Sequence, residues 1–194
     1  MDADGLSSYT FACATSAEER VARRLGLNAA RVGVRVANGV PEGDLVSFGL
    51  AGSLGELRIG DVLDATRVVD EDGTTLWEGP GLGVQGASDG VVLGGDSLVH
   101  DPAERDRLRE ASGADAVDME SGVLARSGRL AGVVRAISDD AGSTVEGVDR
   151  TVYADGRTNV AGLLRWIATR RGDAVRSMRD ALRALEALRE SVAA

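Results

Sequence analysis

The run Asp44 to Leu50 (DLVSFGL) constrains the fold more than any other segment of the chain. It has no polar face beyond Ser47, which suits a central strand buried on both sides. Such a strand needs a layer of structure above and below it, and the flanking sequence supplies candidates. Tyr9 to Cys13 is short, apolar and β-favouring, and Ser16 then offers an N-cap, with Glu18 and Glu19 in the first turn of a helix toward Leu25. Arg31 to Ala37 alternates arginine and valine with period 2, as a strand with one solvated face would, until Asn38-Gly39 and Pro41-Glu42-Gly43 end it. Asp61 to Val69 is a further strand. The glycine-rich stretch from Asp70 to Asp96 reads as loop with one more strand, Gly90 to Leu93.

Asp101 as N-cap and Pro102 at the first helical position introduce a short charged helix, Ala103 to Ala111. Ala114 to Val117 is a short strand that runs into Asp118-Met119-Glu120, and Ser121 to Ser127 looks helical. Gly132 to Ser138 (GVVRAIS) is a buried strand delivering Asp139 and Asp140. The strongest helical region is the tail from Asn159 to Ala194, where Val175, Met178, Leu182, Leu185 and Leu188 recur at steps of 3 and 4 and should pack on the domain edge. The pattern predicts an α/β fold, a three-layer α/β/α sandwich around a mixed central sheet. It forms one domain over residues 1–194, with a helical tail from about 159. Ligands of such sheets bind beyond the carboxyl edges of the strands, where the polar residues gather here.

Composition narrows the chemistry. The balance of 22 basic against 31 acidic residues gives −9, which opposes phosphate backbones and points to small ligands rather than nucleic acid. All of the basic residues are arginine, so a pyridoxal Schiff base, a lysine nucleophile and a Walker A lysine are excluded. Cys13 is the only cysteine and His100 the only histidine, which leaves no internal disulfide and no multi-histidine metal site. Met1 to Ser8 carries no basic n-region and no apolar run approaches the roughly 18 residues that span a bilayer, so a cytoplasmic protein without stable membrane insertion is expected. Carboxylates are the catalytic groups that remain.

They stand in three groupings at loops or strand ends: Glu18, then Asp118 with Glu120, then Asp139 with Asp140. Around them the sequence reads SFGLAGSL (Ser47 to Leu54), IGDVLDA (Ile59 to Ala65), GGDSLV (Gly94 to Val99), VDMESGVLA (Val117 to Ala125) and VRAISDDA (Val134 to Ala141). In these motifs and their order the chain resembles the nucleoside phosphorylase and nucleosidase superfamily. Within it, TSAEERVARRLG (Thr15 to Gly26), HDPAERDRLREASGADAVDMES (His100 to Ser121) and the arginine- and leucine-rich tail resemble the hopanoid-associated phosphorylases most closely. The similarity spans roughly residues 11 to 190.

The resemblance implies N-glycosidic cleavage at C1′ of a purine ribonucleoside, such as a 5′-substituted adenosine, through an oxocarbenium-like sugar. Asp139 matches the general acid for N7 of the base and should be partly desolvated. Glu120 matches the acceptor for the 2′- and 3′-hydroxyls, Met119 faces the sugar, and Glu18 matches the glutamate that positions water in the nucleosidase branch. Base recognition falls to Leu98, Val99 and Ser138, with leucine where the family carries a stacking aromatic. Ser47, Gly49, Ala51 and Gly52 form the candidate nucleophile or anion loop, where backbone amides could make an anion nest.

The family's phosphate-binding Gly-Asp-Pro loop and its arginines have no counterpart, the N-terminal loop reading ACATSAEER. Hydrolysis is therefore favoured, with no cofactor. Phosphorolysis with phosphate as co-substrate, on an adenosylhopane-like nucleoside, and a nucleoside-binding pseudoenzyme are the alternatives, since the chain lacks the family's helix before SFGLAG and much of the segment before GGDSLV. The resemblance also implies a homo-oligomer. His100 reads as a solvent-facing residue before the helix, Trp166 as helix core, the tail arginines as a solvated face, and Trp77 as either core or pocket mouth.

Overall fold

The computed structural model describes residues 6–99, 101–140, 151–169 and 171–193. His100 lies outside the described residues. The strands are β1 (Thr10–Cys13), β2 (Ala29–Arg31), β3 (Leu45–Ser53), β4 (Val62–Val69), β5 (Thr75–Glu78), β6 (Ser88–Gly94), β7 (Ala116–Asp118) and β8 (Leu130–Asp139). The helices are α1 (Ser16–Arg24), α2 (Pro102–Ser112), α3 (Ser121–Arg126), α4 (Val160–Thr169) and α5 (Arg171–Ala193).

All the strands join one mixed sheet in the order β2-β1-β3-β7-β6-β4-β5, with β8 pairing both β3 and β4. β8 runs parallel to β3 and antiparallel to β4. β4 lies parallel to β6, and β6 to β7. β7 pairs antiparallel with the last residues of β3, Val117 opposite Gly52 and Ala116 opposite Ser53. The sheet thus closes on itself through β3, β8, β4, β6 and β7. The buried run Asp44 to Leu50 falls in β3, which pairs with β1, β7 and β8, and Phe48 at its centre meets Phe11 of β1 edge to face at 5.6 Å.

Helices cover both faces. On one, α1 and α5 pack over Phe11, Val46, Phe48 and Val134. On the other, α3 packs over Leu45, Ala51, Val133 and Ile137, the alternate residues of the same strands. α1 starts one residue earlier than expected: Thr15 is the N-cap, and a capping box joins it to Glu18. α2 begins as its sequence signals predict, with Asp101 accepting from the amide of Ala103 and Pro102 in the first turn.

Three expectations are corrected. The alternation over Arg31 to Ala37 is not one strand. β2 stops at Arg31, Gly33 turns the chain at φ 77°, and Val34–Val36 form a tight 3₁₀ turn in which Arg35 and Val36 both have positive φ. Period-2 patterning could not reveal this, because the turn is fixed by a distant partner: the Arg35 amide donates to Glu120 Oε1 at 3.1 Å. The region before GGDSLV contains a second strand, β5, in which Trp77 packs against the core rather than at the pocket mouth. The tail is helical on both sides of residue 170, and α5 buries Ala174, Ala184 and Leu188 while Val175, Met178 and Leu182 face outward. The buried face thus combines two alanines with one of the expected leucines, Leu188.

Candidate active site

The carboxyl ends of β1, β3, β7 and β8 and the segment after β6 surround a cavity of about 620 Å³, within the range typical of small-molecule sites. Glu18, Ala51, Gly52, Leu98, Val99, Met119, Glu120, Ser138 and Asp139 all line it, so nine of the eleven expected site residues meet in one place. Ser47 and Gly49 do not reach the wall. Asp96 is exposed and away from the cavity.

Glu18 is buried on the first turn of α1, a position set by the capping box. Its Oε2 accepts from the Thr15 amide at 2.7 Å and the Thr15 hydroxyl at 2.9 Å, and Oε1 accepts from the Leu50 amide at 2.8 Å. The carboxylate lies directly across Gly49, where any Cβ would overlap Glu18 Oε1 and stand 2.8 Å from Arg135 Nη1. Gly49 is therefore glycine to admit Glu18, and the Leu50 amide of the expected anion nest already serves the protein's own carboxylate. Ser47 is turned the same way: its hydroxyl accepts from Arg135 Nη2 at 2.6 Å and is hydrogen-bonded to the Ser121 hydroxyl at 2.9 Å, under the site rather than in it. The nearby thiol of Cys13 is buried, and burial first, then Glu18, pushes its pKa up, which leaves it a poor nucleophile.

Glu120 follows β7 at the start of α3. Asp118 shapes that corner, accepting from the amides of Glu120 at 3.0 Å and Ser121 at 2.8 Å and from the Ser121 hydroxyl. Beneath both carboxylates runs Arg135 of β8, fully buried, with Nε 2.6 Å from Asp118 Oδ2 and Nη2 3.7 Å from Glu120 Oε2. Burial works against the charge of Arg135, but Asp118, Glu120 and Glu18 outweigh it and raise its pKa. Burial raises Glu120 to about 8; Asp118 and Glu18 add to the rise while Arg135 opposes it. Sequence reasoning missed Arg135, although an arginine inside the apolar run GVVRAIS signals a buried ion pair, because an unpaired charge there would cost several kcal/mol.

Asp139 ends β8 with its side chain 15% exposed, largely withdrawn from water as expected. Its Oδ1 accepts the Ser138 hydroxyl at 2.8 Å. Its Oδ2 carries a partner that was not foreseen, the guanidinium of Arg105 from α2. Nothing local in the charged pattern of α2 distinguishes Arg105 from Arg107 or Arg109. Also unforeseen are Thr151, Val152, Tyr153 and Ala154, which bring an aromatic side chain to the cavity that the Leu98 position lacks.

The sequence profile described as the Phosphorylase superfamily matches residues 82–168, which includes β6, β7, α3 and β8 and hence Leu98, Glu120 and Asp139. Among curated proteins no sequence match was found. Solved structures similar in fold include the Helicobacter pylori 5′-methylthioadenosine/S-adenosyl homocysteine nucleosidase, with TM-score 0.58 and 18% identity over 96% of this chain and 98% of that one. The Helicobacter pylori futalosine hydrolase aligns with TM-score 0.58 and 17% identity over 98% of each chain. The Campylobacter jejuni 5′-methylthioadenosine/S-adenosyl homocysteine nucleosidase aligns with TM-score 0.53 and 18% identity over 95% of this chain and 99% of that one. The chain thus shares the mixed α/β architecture of these structures, and the Phosphorylase superfamily profile covers a little under half of its length.

Proposed function

We propose that this chain hydrolyses the N-glycosidic bond of a purine nucleoside. The observation that carries the choice of water over phosphate is the placement of Glu18. Its carboxylate takes the Leu50 amide and overlies Gly49, so the strand end that would otherwise present an anion nest presents a negative charge. Phosphate would be repelled there, whereas a water molecule can donate to the carboxylate. Ser47, the remaining hydroxyl candidate, is engaged by Arg135 and Ser121.

In this reading the base lies against Leu98, Val99 and Ser138, and the ribose lies over Met119 with its hydroxyls donating to Glu120. Asp139 delivers a proton to N7 as the C1′–N9 bond breaks. Water held by Glu18 attacks C1′ and passes its proton to that carboxylate, giving free ribose and free base. Glu18 and Glu120 flank the cation that develops on the sugar, where fixed negative charge lowers the barrier. Because burial raises Glu120 to about 8, hydroxyl donors that favour its ionised form bind with release of a proton, and affinity rises with pH toward 8. No cofactor enters. A cavity of about 620 Å³ leaves room for a 5′ substituent, and a long alkyl one of the adenosylhopane kind belongs in the substrate panel.

The test is base release from 5′-substituted adenosines with and without phosphate. Release that ignores phosphate and yields the 5′-substituted ribose with a free C1′ hydroxyl is expected. Formation of the corresponding sugar 1-phosphate would overturn hydrolysis. A binding-only role has one observation in its favour, that three protein donors already satisfy Glu18. Nucleoside binding without any base release would select it.

A further inference from the structure

Arg105 is the one residue of α2 on the cavity wall among the described residues, and its side chain is 1% exposed. Nη1 donates to the Ser53 carbonyl at 2.7 Å, Nη2 donates to the Val99 carbonyl at 3.0 Å, and Nη2 also pairs with Asp139 Oδ2. A guanidinium this deep is tolerated only with good partners on most sides. Here the partners come from the end of β3, the segment after β6 and the end of β8. Those are the segments assigned to the glycine loop, the base and the acid.

The rest of the neighbourhood is cut to fit the pair. Gly52 leaves the space it needs, since a Cβ there would stand 2.8 Å from Asp139 Oδ2 and 3.2 Å from Arg105 Nη1. Ser138 holds the other oxygen of Asp139. The fork geometry of arginine suits this task, because one planar group can hold a carboxylate and two carbonyls in fixed relation.

We propose that Arg105 is a positioning residue for departure of the base. It acts through Asp139, holding that carboxyl and the Val99 backbone in register so that both meet the same edge of the base. The inference rests on the hydrolytic reading above and deepens it.

The experiment compares the wild type with Arg105→Met, Arg105→Lys, Asp139→Asn and the Arg105→Met/Asp139→Asn double variant. Two substrates are used: an adenosine-type nucleoside, and a nitrophenyl ribofuranoside whose leaving group departs without a proton. Arg105→Met is expected to lower kcat on the nucleoside by about tenfold or more and on the nitrophenyl riboside by less than about twofold. Arg105→Lys, which keeps the charge but not the fork, falls between. Adding Arg105→Met to Asp139→Asn brings no further loss on the nucleoside, as for residues that act as a unit. Equal losses on both substrates, or additive losses in the double variant, overturn the proposal and leave Arg105 a structural residue. If the wild type cleaves neither substrate, the hydrolytic reading falls on its own, and adenine binding by calorimetry decides the positioning claim. Arg105→Met then weakens adenine binding about tenfold in the wild-type background and leaves it unchanged beside Asp139→Asn. Unaltered adenine affinity in Arg105→Met, or no adenine binding to the wild type, overturns it.

Discussion

Replacing Glu120 with glutamine tests the electrostatics of the site without altering its shape. In the folded protein burial raises this carboxyl from 4.5 to about 8, with Asp118 and Glu18 adding to the effect and Arg135 opposing it. The unfolded chain releases the proton near the ordinary value, so between about pH 4.5 and 8 the folded state holds a proton that the unfolded state does not. Folding stability contributed by this group is therefore fully present below the unfolded value and declines as pH rises toward 8. At about 1.4 kcal/mol per pH unit, the whole decline amounts to at most roughly 5 kcal/mol. Glutamine has the same volume and no charge to desolvate, so Glu120→Gln removes that slope. The assay is urea unfolding of both proteins from pH 5 to pH 8.5. The wild type should lose ground to Glu120→Gln by several kcal/mol across the range, other titrations cancelling in the difference. Parallel stability curves would mean that Arg135 neutralises Glu120 in full and that the carboxylate is ionised throughout.

Asp139→Asn should lower turnover by about two orders of magnitude or more, the scale of a lost general acid, and steady-state kinetics that show no change would remove Asp139 from the chemistry. Gly49→Ala drives a methyl group into Glu18 and should abolish base release while costing about 1–3 kcal/mol of stability, read by activity and thermal melting; an active variant would show that Glu18 has no part in placing water. The homo-oligomer expected from the resemblance would cover the outward face of α5, where Val175 and Leu182 are 56% and 65% exposed. Leu182→Glu should reduce the sedimentation mass to that of one chain, and an unchanged mass would put the interface elsewhere.

The layers, β3, β8 and the residues at strand ends were legible because each follows from chain-local physics. An apolar run without a polar face must be central, and Asp101 with Pro102 must start a helix. The carboxylate groupings were also legible, since residues at the carboxyl ends of strands converge, and the resemblance singled out Glu18, Glu120 and Asp139 among them. What stayed hidden depends on partners distant in sequence. The turn at Val34–Val36 is held by Glu120, 85 residues away, and overrides a clean alternation. Ser47 and Gly49 looked like ligand groups until Arg135 and Glu18 were seen to occupy them. The packed face of α5 was legible at Leu188 but not at Ala174 and Ala184, because hydrophobicity ranked the outward Val175 and Leu182 above the alanines that fit. Among the described residues no helix is long and apolar enough to cross a membrane.

The closure of the sheet separates the parts of the site that can change from those that cannot. Asp118 and Asp139 end β7 and β8, and Gly49 and Gly52 lie in β3, all strands of a ring in which moving one means breaking pairs with two others. The Arg35 turn, Leu98 and Tyr153 lie outside the ring. Substitutions or length changes there can reshape the cavity while Asp118 and Asp139 keep their spacing. New ligand preferences in descendants of this chain should arise along that rim, with the ring acting as a fixed jig for the carboxylates it carries.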